Sequence, residues 1–146
     1  MNSVLEEVTS DEITKDHVMK RVNDWVDRLN GLYVLVENWL PPDWHADQRR
    51  VILMDEEMMR VVGVVPREVP VLELRSDDGR RAFLEPRGLW IIGTNGRVDL
   101  VAGSKHFLVF DRAKNFAAPD WQIDNFHARK GLEKLDKARL AAALAP

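Results

Sequence analysis

The chain has 146 residues, 45% of them hydrophobic and 31% charged, with a net charge of −3 and no cysteine. That is enough to bury one sizeable core, and the balance is that of a globular chain, neither disordered nor membrane-like. Disulfides, thiolate metal sites and thiol nucleophiles are excluded together, and no apolar run reaches the ~18 residues a membrane span needs.

Glu6 and Glu7 stand where a secretory leader carries positive charge, so one domain over 1–146, cytoplasmic and away from any membrane, is expected. Charge is uneven along the chain. Residues 1–78 carry 17 acidic and 9 basic side chains, net −8, and residues 79–146 carry 7 acidic and 12 basic, net +5. Such polarity either draws the two halves together or offers a surface of one sign to a partner of the other.

Thr9 and Glu12 have the spacing of a capping box, with Asp11 in the first turn, which predicts a helix from about residue 10. Val18, Val22, Trp25, Leu29, Leu32, Val36 and Trp39 then alternate steps of four and three until Pro41 and Pro42, extending that helix to about residue 40. Val26, Tyr33 and Leu40 widen the stripe into a face that packs on a core. A coiled-coil homo-oligomer is the alternative. Gly31 is expected at a bend or a close backbone approach. Residues 41–48 read as a loop and Arg50–Leu53 as an edge strand. A short helix over about 55–62 is capped by Asp55 and stopped by Gly63 and Pro66, with Met54, Met58 and Met59 as core filling.

Residues 69–111 read as an antiparallel meander. Asp77–Gly79 joins Val69–Arg75 to Arg81–Glu85, Asn95–Gly96 joins Gly88–Thr94 to Arg97–Ala102, and Gly103–Ser104 joins that strand to Lys105–Asp111. Trp121–Phe126 follows as a further strand or as an extended cover over the sheet. Leu132, Leu135, Leu140 and Leu144 predict a C-terminal helix over about 132–145. The fold class is α+β: a long N-terminal helix on an antiparallel meander, with a C-terminal helix.

Chemical motifs are sparse. There is no phosphate-cradling loop, dinucleotide fingerprint or nucleophile elbow. His17, His45, His106 and His127 are dispersed, and His45 with Asp47 lacks an evident third metal ligand. No catalytic residue, metal or cofactor is therefore assigned.

The expected function is a non-enzymatic protein-binding domain, of the inhibitor, immunity or assembly-factor kind. It would engage a basic partner through an acidic helical half holding Asp16, Asp24 and Asp27, or bind through the second face of the sheet. A nucleic-acid module using the basic half, with Trp90, Phe83 and Phe110 as stacking platforms, is one alternative, opposed by a pI of about 5.8. A small enzyme with an undiagnosed site is the other.

Register defines that second face. Two-residue loops at Asn95–Gly96 and Gly103–Ser104 place Leu89, Ile91, Val98, Leu100, Phe107 and Val109 on the core side. Trp90, Arg97, Asp99, His106 and Phe110 fall on the other side, as the candidate binding site, with Asp99 and His106 as diagonal neighbours. Cover by the C-terminal helix or by Trp121–Phe126 is the expected fate of this face; left open, it is a binding surface.

Overall fold

The computed structural model describes residues 14–124 and 131–146. Helix α1 spans Lys15–Trp39, and the Thr14 hydroxyl caps it by accepting from the His17 amide at 3.1 Å. The helix therefore begins after extended Thr14 and not at residue 10; the Thr9–Glu12 capping box lies outside the described residues. Val22, Trp25, Leu29, Leu32 and Val36 are all buried, as the stripe requires, and Trp25 is only 1% exposed. Tyr33 is fully buried too, donating its hydroxyl to the Pro70 carbonyl at 2.7 Å, and burial pushes its pKa up. Gly31 is exposed, and a methyl there would meet nothing within 4 Å, so no backbone approaches it closely.

Residues 41–48 do not form a plain loop. Trp44–Asp47 is strand β1, because the free edge of β4 (Leu72–Ser76) offers it a ladder, with Trp44 opposite Ser76 and Asp47 opposite Glu73. Strands β2 (Val51–Met54) and β3 (Arg67–Pro70) form a separate two-stranded sheet, so the expected strand Val69–Arg75 is divided between two sheets. Between β2 and β3 lies the short helix α2, Glu57–Val61, with Gly63 just beyond it at φ 74°. Its N-cap is Glu56 and not Asp55.

The main sheet has seven antiparallel strands in the order β1-β4-β5-β6-β7-β8-β9, where β5 is Arg81–Gly88, β6 Arg97–Ala102, β7 Lys105–Asp111, β8 Trp121–Asp124 and β9 Leu132–Lys134. The Gly103–Ser104 hairpin has the expected register, with Ala102 opposite Lys105 and Asp99 opposite Leu108. The Asn95–Gly96 hairpin does not form. Strand β6 pairs with residues 82–88, so Arg97 faces Gly88 and residues 89–96 are a loop.

Specific side chains take the bonds a strand would have needed there. The Glu56 carboxylate accepts from the amides of Leu89 at 3.0 Å and Trp90 at 3.2 Å. The Asn95 side chain donates to the Ala113 carbonyl at 2.5 Å, and its amide to the Asp111 carbonyl at 2.7 Å. Gly96, at φ 114°, lies flat against the Trp25 ring.

The C-terminal helix is shorter than expected. Gly131 turns the chain at φ 72°, Leu132–Lys134 pair with the open edge of β8, and only then does the Asp136 side chain cap α3, Lys137–Leu144. Leu140, Ala143 and Leu144 of α3 join the same buried cluster as α1 and the inner residues Val98, Leu100, Phe107 and Val109. Helices α1 and α3 thus lie on one face of the sheet. Arg28 pins α1 to the sheet's end: it reaches Asp24 and Asp111 at 2.6 Å each and donates to the Ala117 carbonyl. Burial lowers the Arg28 pKa, but its bonds to those two carboxylates outweigh that and raise it. Asp24 is therefore a structural partner and not part of a free acidic surface. No described helix is long and apolar enough to cross a membrane.

Candidate functional site: the second face of the sheet

Strand alternation puts residues 73, 75, 81, 83, 85, 97, 99, 101, 106, 108 and 110 on the face away from α1. The expected cover is not there: α3 lies on the opposite face, and Trp121–Asp124 extends the sheet as β8 instead of crossing it. Residues 125 and 126 of the expected Trp121–Phe126 segment lie outside the described residues.

Four of the five candidate residues come together on this face. Arg97 and Phe110 are direct cross-strand partners. Asp99 is held from several sides: Arg97 donates to both of its oxygens at 2.8 and 3.1 Å, His106 lies at 2.9 Å and Arg87 at 3.7 Å. Trp90 is the correction. With residues 89–96 looped, its ring packs against the core, 5.8 Å from the Arg21 guanidinium, and takes no part in the second face. Ile91 likewise lies in this loop, half-buried, and not on a core-facing strand.

Residues of β4 and β5 complete the face. The Glu73 carboxylate accepts from Arg81 and, at 3.1 Å, from Arg75; those bonds, Arg81 first, hold its pKa below the ordinary carboxylate value. Glu85 lies 3.4 Å from Arg50 and 3.7 Å from Arg87. Guanidiniums of Arg50 and Arg81 stand over the Phe83 ring at 5.2 and 5.6 Å. A register shift between Pro86 and Gly88 leaves Arg87 unpaired in the ladder, and a bulge of this kind re-aims a side chain, here over Glu85 and Asp99.

The period-two pattern Arg81, Phe83, Glu85, Arg87 carried this information in the sequence, once the Asp77–Gly79 hairpin was extended strand by strand. The roles of Arg50 and Glu56 had no local signal, because both act across long separations. Half-buried Phe83, Val101, Leu108 and Phe110 lie among these charges. His45 and Asp47, on the edge strand β1, do not meet as metal ligands: His45 instead lies 2.7 Å from Asp77. Among the described residues no cluster of three or more metal-ligating side chains exists. Comparison of the chain with protein-family profiles, with curated proteins and with solved structures gave no match.

Proposed function

We propose that the protein is a non-enzymatic protein-binding domain whose contact surface is the second face of the main sheet. The observation that carries this reading is a broad face, free of α1 and α3, that mixes half-buried Val101, Leu108 and Phe110 with charged groups already fixed by one another. Ordered charges beside adaptable apolar area are what a specific protein contact uses. The Asp99 cluster has the geometry of a positioning network: its carboxylate is buried beneath two guanidiniums and an imidazole.

The nucleic-acid reading is weaker on a specific point. Phe83, the aromatic side chain at the centre of the basic region, already has Arg50 and Arg81 over its ring, so it offers no free platform for a base. The acidic-helix reading loses Asp24 to the Arg28 ion pair.

Substituting Leu108→Ser and Phe110→Ser singly tests the proposal, because neither adds a charge opposite Asp99 and Asp124. Association with the protein's partner in extracts of its native cell is expected to fall while the melting temperature stays near that of the wild type. Retained association in both variants would remove this face as the contact.

A further inference from the structure

Resting on the reading of the second face as a protein-contact surface, we infer that its partner presents an acidic segment, in which carboxylates alternate with apolar side chains. Depth separates the two signs of charge at the centre of the face. The carboxylates of Glu73, Glu85 and Asp99 lie low, with side chains 10%, 30% and 6% exposed, whereas Arg50, Arg75, Arg81 and Arg87 stand above them at 48–55%. An approaching molecule meets guanidinium first.

Five arginines, with Arg97, share three carboxylates, so each carboxylate orients its arginines without neutralising them all. Arg75 and Arg81 are directly opposite across β4 and β5. Like charges in that position are destabilising, and the arrangement is tolerable because Glu73 lies between them. Beside this pair, at the hairpin end of β4 and β5, a depression of about 220 Å³ is lined by Arg75 and Arg81 with Ser76, Gly79 and Arg80, the last already paired with Asp78 and bonded to the Leu144 carbonyl on the helix side. Such a seat suits an anion, because guanidinium forks bind carboxylates through paired hydrogen bonds.

Val101 and Leu108, half-buried on the neighbouring strands, supply the apolar strip that alternate residues of an extended acidic segment would cover. Asp47 and Asp124 lie toward the outer strands of the same face and confine the basic region to its centre. A nucleic acid fits less well, since the Phe83 ring is already taken by Arg50 and Arg81 and offers no free platform for a base.

The test uses the full chain and two labelled probes, a peptide alternating glutamate with leucine and polyuridylate, titrated by fluorescence anisotropy at low and high salt. The peptide is expected to bind, more weakly as salt rises. Arg81→Gln with Arg87→Gln should weaken it roughly tenfold or more, and circular dichroism should show the double variant folded. If that variant is unfolded, Arg75→Gln, more remote from Asp99, serves in its place with the same expectation at smaller size.

Peptide affinity unchanged by these substitutions, or no peptide binding at low salt, overturns the inference. Tighter binding of polyuridylate, lost in the same variants, overturns it in favour of nucleic acid. The two levels separate cleanly. Partner association abolished by Leu108→Ser but indifferent to the arginine variants would leave the protein-contact reading standing and the acidic partner refuted.

Discussion

Gly96→Ala probes the point where the fold departs most from a simple hairpin. Gly96 has φ 114°, and a methyl built on it falls on the Trp25 ring, 2.8 Å from Cε3 and closer still to Cζ3 and Cη2. Trp25 is 1% exposed and cannot swing aside. Two costs therefore add. The left-handed backbone alone costs about 1–2 kcal/mol for an L side chain, and forcing a methyl into a packed core costs about 1–3 kcal/mol more. Gly79→Ala and Gly103→Ala serve as controls for a methyl at positive φ, 88° and 62°, with nothing within 4 Å of it. Urea unfolding of the three variants should show Gly96→Ala less stable than either control by about 1–3 kcal/mol. In a Trp25→Leu background that excess should shrink, since the ring atoms in the way are gone. A Gly96→Ala variant no less stable than the two controls would refute the packing of loop 89–96 on α1.

Other perturbations follow from the same geometry. Gly31→Ala should stabilise the protein by up to about 1 kcal/mol, read from the urea midpoint, because the position is helical, exposed and free of neighbours. Asp111→Ala should cost about 3–5 kcal/mol by removing the fully buried partner of the Arg28 guanidinium and the acceptor of the Ala113 and Asp120 amides; a loss below about 1 kcal/mol would contradict that role. Asp24→Lys should lower the melting temperature more than Asp16→Lys, since Asp24 pairs with Arg28 whereas Asp16 contributes only a first-turn interaction with the helix dipole. Glu73 has a depressed pKa in the folded state. Its stabilising contribution is full above the ordinary value of 4.5 and is lost as pH falls through the lowered one, so the gap in melting temperature between wild type and Glu73→Gln should close in acid.

What was legible in the sequence was what neighbours in sequence decide. The stripe from Val18 to Val36 specifies both the helix and the face it buries, and Gly103–Ser104 sets a register that brings Asp99 to His106 without help from elsewhere. Asn95–Gly96 carried an equally strong local signal and misled. Glu56, 33 residues away from Leu89, takes the amides of the would-be strand, and the Trp25 ring occupies the space beside Gly96. Trp90 left the candidate site for that reason alone. Strands β1 and β9 were illegible for a related cause: Trp44–Asp47 and Leu132–Lys134 are extended because the edges of β4 and β8 are there to be paired. Arg97, Asp99, His106 and Phe110 kept their common face because β6 and β7 depend only on the hairpin between them.

The most direct measurement of the central claim is site-specific photocrosslinking in the native cell, with the photoreactive side chain placed at Val101 or Leu108 on the second face, or at Val34 on the exposed side of α1. A discrete protein adduct is expected from positions 101 and 108 and none from 34. Adducts from 34 alone, or adducts from 101 and 108 that nuclease digests, would contradict that claim.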